Sequence, residues 1–92
     1  MLREFKTKFR GKTWTVTPYA FIDKRDDGEC VHDANRIHVD GSVSGKERLH
    51  TLVHEGNHAS LPDLSEDCIT QISAEQTEYL WKANVRVIEG DE

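Results

Sequence analysis

The sequence has few of the residues that stabilise small extracellular domains. Its 92 residues include only two cysteines, Cys30 and Cys68, which excludes a dense disulfide framework and leaves a single disulfide as an open alternative. The two prolines, Pro18 and Pro62, are far apart, and no segment is repeated or compositionally biased. Without a recognisable linker, we expect one domain that spans residues 1–92.

The sequence also lacks long apolar runs and an excess of positive charge. No stretch approaches the roughly 18 apolar residues of a membrane-spanning helix, and no secretion leader is recognisable. Acidic residues outnumber basic ones by 17 to 12, and the net charge of -5 argues against a nucleic-acid-binding surface. We therefore expect a soluble, cytoplasmic protein that binds neither nucleic acid nor a membrane.

Three segments have the composition of β-strands. Residues 13–22 are rich in β-branched and aromatic residues, and Pro18 should bulge or end the first part of this strand. A shorter strand is expected at residues 29–32, after the Asp27-Gly28 turn. Arg36–Asp40 alternates polar and apolar side chains, which is typical of a half-buried antiparallel or edge strand.

Two later segments have helical periodicity. Apolar residues recur at helical spacing between positions 46 and 59, so we expect an amphipathic helix that ends before Pro62. Ser65 is the predicted N-cap of a second helix, with acidic residues in its first turn, where the helix dipole favours them. The expected buried stripe of this helix comprises Ile69, Ile72, Tyr79, Leu80 and Ala83. The sequence thus predicts an α+β domain in which a small, largely antiparallel sheet packs on two helices.

The first predicted helix contains the sequence His54-Glu55-Gly56-Asn57-His58, an HExxH motif. Histidines four residues apart lie on one helix face, so both imidazoles can bind a single zinc ion. Glu55 lies to the side of this pair and is expected to act as the general base. A chain of this composition contains the motif by chance in about one case in forty, before a helical context is required.

A catalytic zinc site needs a third protein ligand and leaves its fourth position to water. Glu75 is the candidate, because it follows His58 by 17 residues and lies near the apolar stripe of the second helix. An inward-pointing carboxylate needs a cationic partner, which a metal would supply. Glu78 and Asp63 are alternatives, and an exposed Glu75 on a solvated face is the competing interpretation.

Other ligand-type residues fit the motif less well. His50 precedes His54 by one helical turn and could be a hydrogen-bonding support of the site, a proton shuttle, a replacement ligand or an ordinary surface histidine. A looser cluster lacks the paired spacing of a structural zinc finger, so the sequence disfavours a second zinc site there; its members are Cys30, His32, Asp33 and His38.

The segments Leu52–Ala59 and Leu61–Glu66, together with Glu75, resemble the small gluzincin metallopeptidases. They are especially similar to short phage-type metallopeptidases and more distantly to SprT-like and ImmA-like domains. The resemblance covers about residues 28–82. It implies a minimal zincin-like fold, in which the sheet packs on an active-site helix and a second, C-terminal helix.

The resemblance also implies a set of functional residues. In such families the two motif histidines and a glutamate on the following helix hold zinc, which by position are His54, His58 and Glu75. The motif glutamate, here Glu55, activates the water. The strand before the helix aligns extended substrate by edge pairing, which implies Arg36–Asp40 in this chain.

Three interpretations of function follow. The first is zinc-dependent hydrolysis of a peptide or protein substrate, with Glu55 as the general base. The second is a non-catalytic binding or regulatory module in which zinc holds a thin core together. The third is a metal-free structural protein. A closed site of four protein ligands would favour the second interpretation, and an open coordination position would favour the first.

Overall fold

The computed structural model describes residues 3–20 and 27–88. Its regular elements are the strands β1 (Phe5–Phe9), β2 (Lys12–Ala20), β3 (Gly28–Val31) and β4 (Arg36–Asp40) and the helices α1 (Gly45–Ser60) and α2 (Glu66–Lys82). A short 3-10 turn at His32–Ala34 connects β3 to β4. The predicted α+β class is confirmed.

The four strands form one mixed sheet in the order β1-β2-β4-β3. β1 and β2 pair antiparallel as a hairpin, and its turn uses positive φ angles at Arg10 and Gly11. β4 pairs parallel with β2 and antiparallel with β3. The sheet is therefore mostly antiparallel, as the sequence predicts.

The position of β4 corrects one expectation. This strand has the predicted bounds but lies between β2 and β3, so it is not an edge strand of the sheet. Ile37 and Val39 are 1% and 0% exposed. Their alternation with polar residues specifies which face of the strand is buried, but it does not specify whether both strand edges are paired. The edge on this side of the sheet belongs to β3.

Strand β2 is irregular where the sequence predicts a disturbance. Its pairing with β4 shifts register between Thr17 and Ala20, the segment that contains Pro18. Proline lacks the N–H that a regular ladder needs, so the shift has a local cause. Residues 21 and 22, which the sequence assigns to the same strand, lie outside the described residues.

The core lies between one face of the sheet and α1. Its buried residues are Trp14, Val16, Ile37, Val39, Val43 and Ala59, and Phe9, Cys30 and Leu52 pack against them. α2 packs mainly on α1. Neither helix in the described part of the chain is long and apolar enough to cross a membrane.

The first turn of α2 forms as predicted, but its buried stripe differs. The Ser65 hydroxyl accepts a hydrogen bond from the Cys68 backbone N–H at 3.2 Å, which confirms the N-cap. Tyr79 is 74% exposed and Ala83 is exposed as well, so their assignment to the buried stripe is wrong. Ser73 and Thr77 are buried in addition to Ile69. The buried side of α2 is therefore more polar than the sequence suggests.

Arg48 connects the start of α1 to the sheet. It is fully buried, and its guanidinium donates hydrogen bonds to the carbonyl oxygens of Pro18 and Val43. The guanidinium carbon also lies 4.2 Å from the centre of the Tyr19 ring. Because a buried cation is tolerated only when its donors are paired, these contacts define the position of the first turn of α1.

Replacing Arg48 should therefore destabilise the fold. Arg48→Met leaves buried carbonyl groups without their donors, and we expect the free energy of unfolding to fall by about 3 kcal/mol. Urea denaturation followed by circular dichroism measures this change. Arg36→Met is the control, since Arg36 is exposed and its ion pair with Glu4 spans 4.0 Å, and it should cost less than about 1 kcal/mol. Equal losses in the two variants would contradict the role of Arg48.

Candidate metal centre

Helix α1 carries a row of histidines along one face. His50, His54 and His58 follow one another at intervals of four residues, which places them on consecutive helical turns. The ring centroids are 6.0 Å apart for His50 and His54 and 4.9 Å apart for His54 and His58. The HExxH segment is therefore helical, and its two histidines are neighbours, as the sequence predicts.

Glu66, the first residue of α2, reaches both motif histidines. Its carboxylate oxygens lie 3.1 Å from His54 Nε2 and 2.7 Å from His58 Nε2. One potential ligand atom from each of the three residues lies within 4.8 Å of the other two. Within residues 3–20 and 27–88, this is the group of side chains that could hold a metal ion.

Glu75 lies outside this group. It follows Glu66 by nine residues on α2, which corresponds to about 14 Å along the helix axis. Glu75 is exposed, and its carboxylate accepts a hydrogen bond from Gln71 of the same helix at 3.4 Å. The two alternatives, Glu78 and Asp63, are outside the group as well. The structure thus brings two of the three predicted ligands together and adds Glu66.

Glu66 is not among the ligands predicted from the sequence, because its place in the first turn of a helix already accounts for an acidic residue there. An acidic side chain in the first turn of a helix is expected from the helix dipole alone. The signal that could have identified it is the eight-residue interval from His58, which contains Pro62 and the N-cap Ser65. Because α1 ends and α2 begins within these few residues, the chain reverses direction. The first turn of α2 therefore lies beside the last turn of α1.

The electrostatic environment of His54 suits a metal ligand. Burial lowers the pKa of this imidazole, and the neighbouring Glu66 carboxylate opposes that shift. The His54 side chain is 17% exposed, whereas Glu66 is 65% exposed. A lowered pKa favours the neutral imidazole, which is the form that binds metal ions. The donor set therefore has two imidazole nitrogens inside the protein and a carboxylate nearer to solvent.

Glu55 lies on the wall between the histidine row and β3. The residue is 8% exposed and lines the same cleft as His54 and His58. Burial and, secondarily, the charge of Glu55 raise the pKa of the Cys30 thiol to about 12. The Glu55 side chain also packs beside β3, since a Cβ atom built at Gly28 would lie 3.1 Å from Glu55 Cγ.

A cleft of about 610 Å³ opens between β3, α1 and the first turn of α2. Residues 28–30 of the edge strand and the preceding Asp27 form one wall, and His50, His54 and Glu55 contribute to the helical wall. This volume falls within the range of about 300 to 1,000 Å³ that is common for ligand sites. The three side chains of the candidate metal centre therefore line a cleft of the size that is common for ligand sites.

The second cluster of ligand-type residues does not converge. Cys30 Sγ lies 3.7 Å from His32 Nε2, but His38 Nδ1 pairs with Glu29 at 2.7 Å. Cys30 and Cys68 are both free thiols. In the described ranges these residues do not form a group of metal-ligand atoms, so the second zinc site that the sequence disfavours has no geometric support.

Gly28 sets the separation between β3 and α1. A Cβ atom at this position would lie 2.6 Å from Thr51 Cγ2, 3.0 Å from the His38 carbonyl oxygen and 3.1 Å from Glu55 Cγ. These distances are shorter than van der Waals contact, so a side chain would force the strand and helix apart. The absence of a side chain allows Glu55 to approach the edge strand.

No protein-family model matches this chain, and comparisons with curated proteins and with solved structures also give no match.

Adding a methyl group at Gly28 should disturb this contact. Gly28→Ala is expected to lower the free energy of unfolding by about 1 to 3 kcal/mol, because overpacking displaces β3 or α1. Gly41→Ala is the matched control, since the nearest atom to its added Cβ, Tyr19 Cδ1, is 3.7 Å away in ordinary contact. Denaturation curves of the two variants measure the difference. A Gly28→Ala protein as stable as Gly41→Ala would show that the contact is not tight.

Proposed function

We propose that this protein is a zinc-dependent peptidase of minimal zincin-like architecture. The observation that carries the proposal is the convergence of His54, His58 and Glu66 beside Glu55, in a cleft that is bordered by an edge strand. The helical HExxH motif supplies two imidazoles and a carboxylate in the arrangement that metal-assisted hydrolysis requires. Glu66 completes the donor set and replaces Glu75 as the proposed third ligand.

The three residues fit zinc better than they fit calcium or magnesium. Two imidazole nitrogens and one carboxylate oxygen are the ligands of many catalytic zinc sites, whereas calcium and magnesium prefer oxygen ligands alone. His54 and His58 offer their Nε2 atoms to the same carboxylate, so the three ligand atoms already converge. Three protein ligands leave a coordination position for water or substrate, which distinguishes a catalytic site from a closed structural one.

Glu55 is the proposed general base, and its place among the residues that line the cleft supports this role. Zinc, when bound, supplies a Lewis acid that lowers the pKa of water to about 7 and polarises a carbonyl group. Glu55 accepts the proton of the attacking water and later returns it to the departing amine. Because Glu55 is 8% exposed and lies against Gly28, its carboxylate has little freedom to move away from the cleft.

The proposed substrate is an extended peptide that pairs with β3. This strand occupies the edge of the sheet and contributes one wall of the cleft. Backbone pairing with an edge strand binds a peptide without selecting its sequence, and side chains along the cleft add specificity. The role that the family resemblance gives to Arg36–Asp40 therefore passes to Gly28–Val31, because β4 is paired on both sides.

A second candidate function is a binding module in which zinc serves only to stabilise the fold. The buried side of α2 favours this alternative. Ser73 and Thr77 on that side are polar and contribute little hydrophobic stabilisation. A metal that joins α1 to α2 would offset that weakness. The two functions differ in their dependence on Glu55, which a purely structural zinc site does not need.

The identity of the third ligand can be tested with two matched variants. Glu66→Ala should weaken zinc binding by at least the roughly tenfold that loss of a supporting group causes, because it removes a direct ligand. Glu75→Ala makes the same chemical change on the same helix and should leave the zinc affinity unchanged. Competition with a chromogenic chelator measures both. Weaker binding in Glu75→Ala alone would restore Glu75 as the ligand and contradict the proposed site.

The catalytic role of Glu55 predicts a separation of binding from turnover. Glu55→Gln should keep the fold and bind one zinc per chain, but it should lose peptide hydrolysis by at least the roughly 100-fold expected for removal of a general base. Mass spectrometry of a mixed peptide library incubated with the zinc-loaded protein follows cleavage. If the zinc-loaded wild type cleaves nothing, the stabilised binding module is the better description; if Glu55→Gln cleaves as fast as wild type, Glu55 is not the base.

A further inference from the structure

The geometry of the candidate metal centre depends on the alignment of two helices. His54 and His58 belong to α1, whereas Glu66 belongs to α2. α2 packs mainly on α1, and the sheet contributes little to its position. The apolar contact of Ile69, which is fully buried, stabilises this packing without strongly fixing its direction. Directional contacts between the helices must therefore determine where Glu66 lies.

Asn57 makes two such contacts from within the HExxH motif. Its Nδ2 atom donates to Ser73 Oγ at 2.9 Å and to Gln76 Oε1 at 2.7 Å. Ser73 follows Glu66 by seven residues, about two helical turns, so both residues lie on nearly the same side of α2. A contact that holds Ser73 against α1 therefore turns Glu66 toward α1 as well.

We infer that Asn57 is a positioning residue of the metal centre, which holds α2 at the rotation where the Glu66 carboxylate meets His54 and His58. The inference rests on the proposed function, since it assumes that these residues bind zinc. The Asn57 amide is directed at the middle of α2 and not at the first turn, where Glu66 lies. It acts through Ser73 and Gln76 of the neighbouring helix.

The size of the effect follows from helix geometry. Side chains extend to about 5 or 6 Å from the axis of a helix, so a rotation of α2 by about 20° moves the Glu66 carboxylate by about 2 Å. Metal–ligand distances tolerate a change of only about 0.2 Å. A small rotation would therefore remove Glu66 from the coordination distance of an ion held by His54 and His58, unless the glutamate adopts another rotamer.

The connection between the helices restrains α2 in a different way. The backbone N–H of Leu61 donates to the Asn57 carbonyl oxygen at 2.8 Å, and Ser65 caps the next helix. These contacts determine where α2 begins. The rotation of α2 about its own axis depends on contacts farther along the helix, such as those of Ser73 and Gln76 with Asn57. The ion pair of Lys46 with Glu78 also joins the helices, but both side chains are nearly half exposed and lie three turns from Glu66.

A double-mutant cycle on zinc affinity tests the inference. Four proteins are compared by chelator competition: wild type, Asn57→Ala, Glu66→Ala and the double variant. We expect Asn57→Ala to weaken zinc binding by about tenfold, as is typical for residues that orient a metal ligand. In the Glu66→Ala background the same change should have no further effect, because Asn57 acts through Glu66. Thermal unfolding of the metal-free proteins measures any loss of stability separately.

Two additional variants control for simpler explanations. Lys46→Ala removes another link between α1 and α2 and should leave zinc affinity unchanged. Ser73→Ala combined with Gln76→Ala removes both partners while Asn57 stays in place, and it should reproduce the tenfold loss. This double variant also decides the question if Asn57→Ala does not fold.

The outcomes distinguish a failure of the positioning role of Asn57 from a failure of the proposed zinc site. If wild-type protein binds no zinc, or Glu66→Ala binds it equally well, the proposed site itself fails. If Glu66→Ala weakens binding but Asn57→Ala does not, only the positioning role of Asn57 is overturned. An equal loss from Asn57→Ala in both backgrounds would also overturn it, because the residue would then act on general stability and not through Glu66.

Discussion

Helix α1 must fit the sheet on one side and α2 on the other, and the position of every candidate metal ligand follows from this constraint. Arg48 joins its first turn to the carbonyl oxygens of Pro18 and Val43. Gly28 lets its middle approach the edge strand, where Glu55 lines the cleft. The last turns carry His54 and His58, which meet Glu66 from α2. Disturbing any of these contacts would move the donor atoms relative to the cleft.

The helices and most strands could be predicted from local patterns. The alternation of Arg36–Asp40 gives the bounds of β4, and helical spacing with a Ser65 cap gives both helices. The order of strands could not be predicted in the same way, because burial of one face says nothing about edge pairing. β1 is not among the strands predicted from the sequence. Its lysines are exposed and its apolar residues are few, so the segment has no clear pattern of one buried face.

Only the part of the candidate site that lies on one helix, α1, could be predicted from the sequence. The four-residue spacing of the HExxH histidines specifies their shared face without any knowledge of the fold. The third candidate ligand, Glu66, lies on another helix, so its identity depends on loop length and helix rotation. Glu75 fits the pattern of an inward-facing residue on α2, but the side of α2 that meets α1 contains Ser73 and Thr77. A pattern of apolar residues at helical spacing does not identify buried polar residues such as these.

In the proposed site, His54, His58 and Glu66 are the three protein ligands of one zinc ion, and the site opens into the cleft beside β3. Anomalous diffraction at the zinc edge, from crystals of the zinc-loaded protein, tests it most directly because it locates the ion among named side chains. We expect one zinc ion at about 2.0 to 2.2 Å from the two Nε2 atoms and the Glu66 carboxylate, with a remaining position that faces the cleft. A zinc ion bound by Glu75 instead of Glu66, or closed off by a fourth protein ligand, would contradict it.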